Sequence, residues 1–468
     1  MSDTLQNTPW PRFIALMDMN AFFCSIEQLD FPDLFAGKPI GVTNGQTGTT
    51  IITASYESRS YGIKTGMKVK DALILCPEFI QVGSRPIRYA QVSTAIMDAL
   101  LTLTPDLEIF SVDEAFLDFT ACQSMYKKET PESIGRMIKR IVWEASGLKC
   151  SVGISGDKTT AKYAAKLMKP DGLTIISPWE ARKRLHNVPV TDLCGIKDGI
   201  GGFLAARGVF KCGDMVKIPM SALRSRFGPL GTRIWYMCQG ADPSPVETVI
   251  KPPKSVGHGK VMPPNTKDQE VLLTYLIHMG EKVGSRLRAH TLAAQTFFIG
   301  LRTWEGWIGG KFKSKFPTND SRTIHNLSKI MLGTYWFGQG IYQVQITAQD
   351  PRPDVGQSDL FVENDLKAVM LNRAIDKVND RYGEFTIAPS ILIERSIMPN
   401  VIAPAWKPHG HRQTIIPTVE RRKQINEEPA SNLDPEYLEY LYLCSQDENY
   451  IHCGTEEGQG MGSSISRP

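Results

Sequence analysis

The sequence predicts an α+β protein of several domains. Its opening apolar run, Phe13-Ile14-Ala15-Leu16-Met17, is the pattern of a buried strand, and segments near 108–119, 149–155 and 173–176 read as further strands. Among them, Tyr89, Val92, Ile96, Ala99, Leu100 and Leu103 fall on one helix face, and Ile134, Met137, Ile138, Ile141, Val142 and Ala145 on another. Strands interleaved with two amphipathic helices predict a sheet covered on one side, the ferredoxin-like plan. Charge divides the remainder: residues 251–352 hold 14 Lys and Arg against 6 Asp and Glu, while 353–468 hold 11 against 18. A basic module followed by an acidic tail offers the first of them to a phosphate backbone.

Composition narrows the class. The 468 residues, 42% of them hydrophobic, suffice for several cores. The pattern predicts no membrane span, and the polar stretch 1–12 predicts no signal peptide. Nine cysteines without a CxxC pair or regular spacing argue against a disulfide framework or structural zinc and for a reducing, cytoplasmic setting. His409 and His411 form an H-x-H, but no Cys or third ligand lies near them in sequence.

The chemistry concentrates at Ser111-Val112-Asp113-Glu114-Ala115-Phe116-Leu117-Asp118, where adjacent carboxylates stand at the bend of an apolar hairpin. A second acid, Asp18, ends the first strand. Like charges gathered in a low-dielectric site repel unless neutralised, and hard divalent ions are held by one or two carboxylates together with substrate phosphates. The pattern points to two-metal phosphoryl transfer. Either acid taken alone would read as a solvated turn.

Four motifs in order, DMNAFFCSIE at 18–27, ASYESRSYGIKTGM at 54–67, SVDEAFLD at 111–118 and SVGISGDKTTAKYAAKLMKPDG at 151–172, make residues 13 to about 352 resemble the Y-family of translesion DNA polymerases. The resemblance implies a right-hand fold. Residues 1–21 and 84–177 would form a ferredoxin-like palm, 22–83 small fingers, 178–248 a helical thumb and 249–352 an α/β little finger. It implies that Asp18, Asp113 and Glu114, with the Met19 carbonyl, bind two Mg2+ ions. Phe23 matches the steric gate beneath the sugar, Ile52 the roof over the nascent pair, and Thr53, Tyr56, Arg59 and Lys169 the grip on the triphosphate. A Phe22-Phe23 pair would otherwise read as core, and a lysine at 169 as a helix C-cap. Asn20 departs from the Asp usual in polymerase IV enzymes and matches the polymerase V catalytic subunit, which leaves the subfamily and the need for accessory subunits open.

Gly195-Ile196-Lys197-Asp198-Gly199 resembles the turn of a helix-hairpin-helix that presents backbone N–H groups to a DNA phosphate, with Lys197 and Gly199 departing from the usual residues. Leu272, Leu276, Met279, Val283 and Leu287 form a helix stripe beside Arg286 and Arg288, which are expected to meet primer-template phosphates. Gln357-Ser358-Asp359-Leu360-Phe361 resembles the peptide with which bacterial repair proteins dock on the sliding clamp, Gln357, Leu360 and Phe361 being its anchors. Ala368, Leu371, Ile375 and Val378 predict a helix ending near Gly383, which completes a 353–395 segment. Residues 396–468 read as a largely disordered acidic tail with a short helix at Pro435–Leu443. The expected activity is addition of dNTPs to a primer 3′-OH without proofreading. The alternative is a catalytically silent, clamp-binding adaptor.

Overall fold

In this computed structural model, residues 9–46, 48–354, 366–395 and 402–415 are described. The palm sheet runs in the order Leu107–Ser111, Glu114–Asp118, Ile14–Met19, Cys150–Ser155, Leu173–Ile175. Each neighbouring pair among its first four strands is antiparallel, and the last joins parallel. With the helices Pro86–Leu100 and Pro131–Ser146 this is the ferredoxin-like split βαβ arrangement. Thr130 caps the second helix by a reciprocal capping box with Ser133, and Gly147 ends it at φ 68°. The first strand lies in the middle, buried throughout, because Ala15, Met17 and Met19 face these helices while Ile14 and Leu16 face the other way.

The sheet is covered on both faces, which corrects the one-sided expectation. Helix Lys158–Leu167 packs on Ile14, Leu16 and Phe116 through Ala161 and Ala165. Its contact surface is alanine, too small to register as an apolar stripe. The strand beneath makes room with Gly153: a Cβ there would sit 2.1 Å from the Ala161 carbonyl oxygen and 2.3 Å from the Ala165 nitrogen.

The fingers are a three-stranded sheet, Ile51–Ala54, Ile40–Thr43 and Ile80–Gly83, entered through helix Phe22–Asp30. Entry and exit are tied by one buried network. Fully buried Glu27 accepts from the Tyr89 hydroxyl (2.6 Å) and the Arg85 guanidinium (2.9 Å), which also reaches Asp30 (2.8 Å). Burial raises the Glu27 carboxyl above its usual range against the pull of Arg85. The thumb helices enclose their own core, with Leu185, Leu204, Leu223 and Ile234 inside. Buried Asp242 fastens the thumb to the palm, accepting two bonds from Arg233 (3.0 and 2.9 Å) and one from Thr159 (2.6 Å).

The little finger is the expected antiparallel sheet, Trp307–Thr318, Leu292–Arg302, Ile341–Ala348 and Val256–Thr266, with helices Gln269–Ala289 and Ser321–Tyr335 against it. The predicted helix after it spans Leu366–Tyr382 and stops at Gly383, φ +114°. That helix packs on the little-finger helices and engages Arg288, whose guanidinium pairs with Asp376 at 2.6 and 2.9 Å. Arg286 donates to the Gly257 carbonyl at 3.1 Å and is half-buried. Both arginines expected at a DNA face are thus engaged within the protein, Arg288 by the additional helix and Arg286 by the strand Val256–Thr266.

Within the segment read as tail, residues 402–415 are packed: Ile402, Trp406 and Ile415 join the palm core. Among the described residues, no helix is long and apolar enough to cross a membrane.

Candidate active site

Strand register assembles the acids. Asp18 pairs with Glu114 across adjacent strands, and the Met19 amide donates to the Asp113 carbonyl at 3.0 Å, so a residue near the N-terminus meets the hairpin almost a hundred positions on. Ser111 Oγ donates to Asp113 Oδ1 at 2.7 Å and stands 3.3 Å from Glu114 Oε2. Burial is the largest influence on Asp18 and pushes its carboxyl up to about 6; Lys169 opposes it, and Glu114 and Asp113 add to it. Burial likewise raises Asp113 against the Ser111 hydrogen bond.

Two lysines answer this crowding. The Lys169 ammonium contacts Asp18 Oδ1 and lies 3.4 Å from the Met19 carbonyl, two residues past the end of its helix, so it serves the acids and not the helix carbonyls. Lys162, nearly buried, pairs with Glu114 Oε2 at 2.5 Å and lies 4.3 Å over the Phe110 ring. With the acids held this way, no three His, Cys, Asp or Glu side chains among the described residues surround a point closely enough to hold an ion. The donor set is nonetheless wholly oxygen, three carboxylates and a carbonyl, which suits a hard divalent cation and not zinc. Asp18 and Asp113, whose carboxyls burial raises, are groups a cation would stabilise in the charged form.

Beside the acids lies a pocket lined by eight of the sequence-predicted residues: Asp18, Met19, Phe23, Ile52, Thr53, Arg59, Asp113 and Lys169. Ala21, at φ 44° and N-cap of the next helix, turns the chain so that Phe22 and Phe23 line it too. Phe23 is stacked on Tyr89, centroids 4.4 Å apart and planes 15° apart, so the Glu27 network backs the ring. Arg59 donates to the Ala54 carbonyl at 3.0 Å and sits 4.7 Å over the Tyr56 ring; Tyr56 itself supports Arg59 from outside the lining. Asn20 accepts from Ser151 Oγ at 2.9 Å, and an amide there adds no fourth charge to the acids. Thr65, Val112 and Pro404 also line the pocket and were not foreseen. A Lys four residues before Lys166 gave no signal that it would reach Glu114, and Pro404 lies in sequence read as tail.

Gly195 (φ 91°), Lys197 and Gly199 are exposed, with Lys197 as N-cap of the helix Asp198–Ala205 and no side-chain cap on its amides. Gln357, Leu360 and Phe361 lie outside the described residues, as does Pro435–Leu443.

The model of the impB/mucB/samB family matches residues 17–166, and that of the same family's C-terminal domain matches 253–360. DNA polymerase IV of Moorella thermoacetica is 33% identical over 383 residues, covering 80% of this chain and 94% of that protein. The chain belongs to the Y-family of translesion DNA polymerases. Another relative, DNA polymerase IV of Methanoculleus marisnigri, is 32% identical over 71% of this chain and 93% of its own length. Among solved structures, a chimeric Y-family DNA polymerase shares the fold, with TM-score 0.63 at 24% identity over 73% of this chain and 99% of its own. The matched family segments contain every Y-family acid in this chain's pocket, and they leave the thumb and everything beyond 360 outside.

The Asp18 shift gives a test in chelator, without metal. Asp18 is raised from 3.8 to about 6, so the fold tolerates its neutral form, and stability present below pH 4 is lost as pH rises through 6. Asp18→Asn should therefore stabilise the metal-free protein above pH 7 by up to about 3 kcal/mol, with no gain at pH 4. Urea denaturation across pH reads it; an equal effect at both ends would place the cause elsewhere.

Proposed function

We propose that this Y-family polymerase adds dNTPs to a primer 3′-OH by two-metal phosphoryl transfer at Asp18, Asp113 and Glu114, without proofreading, in DNA damage tolerance. The observation that carries this reading is the juxtaposition of three clustered acids, two of them paired with lysines, with a pocket holding Arg59, Thr53 and Lys169. The acids and the Met19 carbonyl would hold two Mg2+ ions, which when bound supply charge neutralisation and lower the pKa of the primer hydroxyl. Lys169, relieved of Asp18, is free to pair with triphosphate oxygens beside Arg59 and Thr53, where the capped start of helix Tyr56–Ser60 also favours anions. Ile52 and Phe23 confine base and sugar between them, and Tyr89 keeps the Phe23 ring from yielding to a 2′-hydroxyl. Catalysis is then positioning and charge neutralisation. Nothing in the site favours a silent adaptor.

For DNA, the register of the little finger offers a different face from the one the helix stripe predicted. Ile299, Leu301, Val344 and Ile346 face the helices, so Phe298, Gly300 and Arg302, paired with Lys311, Gly309 and Trp307, lie on the opposite side with Lys313. Exposed Arg302, Lys311 and Lys313 on a sheet kept low by Gly257, Gly259 and Gly300 suit a phosphate backbone read without sequence preference. The exposed turn at Gly195, Lys197 and Gly199 adds backbone donors for a further phosphate. We assign Gln357, Leu360 and Phe361 to a sliding clamp, on their place between the little finger and helix Leu366–Tyr382. The described cysteines are all free, in keeping with a cytoplasmic enzyme.

Primer extension tests the central claim. Asp113→Asn should lose nucleotide addition in magnesium while keeping primer-template affinity, because the carboxylate acts in the transition state and DNA affinity resides in phosphate contacts; extension near the parent rate would refute the site. In the same assay Phe23→Ala should admit ribonucleotides, and unchanged sugar discrimination would make Phe23 core only.

Reversing Lys311 and Lys313 to Glu should weaken all primer-templates alike and flatten the log-log salt dependence by about one per lost contact. Unaltered affinity in low salt would leave this face without DNA.

A 353–365 peptide should bind the clamp at roughly micromolar affinity, with Leu360→Ala and Phe361→Ala together abolishing the calorimetric heat. No heat from the unaltered peptide removes the clamp assignment.

A further inference from the structure

The segment 402–415 lies beyond every residue the family models match, yet it enters the active site. Pro404 lines the nucleotide pocket, and its carbonyl accepts the Val112 amide at 2.9 Å. Val112 immediately precedes Asp113, and its own carbonyl accepts Ser93 Oγ at 2.5 Å. The tip of the acid-bearing hairpin is thus gripped from two sides, by the palm helix and by this segment. What seats the segment is Trp406, 1% exposed in the palm core with Ile402 at 2% and Ile415 at 7%. The indole Nε1 donates to the Ile415 carbonyl at 3.0 Å, and the Trp406 amide to the Ala403 carbonyl at 2.8 Å, which closes the segment into a loop. Its far turn rests on the thumb-to-little-finger link, since a Cβ on Gly410 would stand 2.6 Å from Ile250 Cγ2.

We propose that residues 402–415 are a working part of the polymerase site: a strap in which Trp406 is a positioning residue for the Val112–Asp113 hairpin tip and Pro404 is a wall of the nucleotide pocket. This rests on the polymerase reading above. Two physical arguments separate it from a displaceable plug. A ring buried this completely is costlier to unseat than a segment meant to come and go would carry. The strap's contact is also made to the backbone beside a catalytic acid, where an error of about 1 Å costs on the order of 100-fold in rate.

Single-turnover incorporation by the full-length chain on a saturating primer-template tests it, with rates taken per folded molecule well below each melting midpoint. Trp406→Ala should lower the maximal rate about 10- to 100-fold, with primer-template affinity held within about twofold because phosphate contacts elsewhere supply it. Trp406→Phe, which refills the core, should recover most of the rate. Pro404→Ala keeps the carbonyl and the seated indole but removes the ring; it should raise the half-saturating dNTP concentration several-fold with little change in maximal rate, and it keeps the test open should Trp406→Ala not fold. Rates and half-saturation equal to the parent's would reduce the strap to packing, and faster incorporation would make it an obstruction; either result overturns the proposal. A parent chain that does not extend primers at all would instead overturn the polymerase reading.

Discussion

The structure is organised around the cost of gathering three carboxylates, one of them buried, at neighbouring strand ends of one sheet. Strand pairing forces Asp18, Asp113 and Glu114 together, and the desolvation that raises Asp18 to about 6 is the price of an active site built into a core instead of on a loop. Lys169 and Lys162 carry the countercharge, and both come from the helix and turn packed on the face of the sheet away from the two larger helices. That helix lies close enough to place its lysines only because Gly153 and the alanines Ala161 and Ala165 remove side-chain bulk between helix and strand. The small residues and the charges thus answer one constraint.

Support for the pocket follows the same logic one layer out. Phe23 is held by Tyr89, Tyr89 by Glu27, and Glu27 by Arg85, a chain in which each polar group is buried and satisfied. Breaking such a pair from one side leaves an unpaired buried charge, which is far costlier than never having it. The network joins the helix entering the fingers to the residues leaving them, so the Phe23 ring in the pocket wall is fixed by the same bonds that attach the fingers to the palm.

Much of this was legible in the sequence. Apolar periodicity found the palm strands and both large helices; the strand end at Asp18 and the bend at Asp113-Glu114 marked the acids without a structure; and the charge excess of 251–352 marked the module that presents Lys311 and Lys313. What escaped had physical causes. A helix that packs through alanine has no apolar stripe to count, so the second covered face went unseen. Arg286 and Arg288 were assigned to DNA phosphates because a helix stripe tells which side is buried against the sheet, not what meets the residues that flank it; Asp376, nearly ninety residues on, pairs with Arg288, and the Gly257 carbonyl takes Arg286. The segment 402–415 was lost in an acidic average, although the spacing of Ile402, Trp406 and Ile415 was there to be weighed against it.

Lys169 shows how a single group can serve two charge states of one site. In the arrangement seen, its ammonium balances Asp18 and lies within reach of the Met19 carbonyl, the two groups best placed to accept a cation. If the proposed cation and nucleotide bound there, the cation would make that balance redundant and phosphate oxygens would offer the ammonium a second anion, so it need not be left buried and unpaired. Lys162 has no such second partner near it: it is held by Glu114 and by the Phe110 ring, farther from the nucleotide pocket. The two lysines therefore differ in kind. One pairs with an acid away from the pocket lining, and the other stands between an acid and the pocket where the proposed nucleotide would lie.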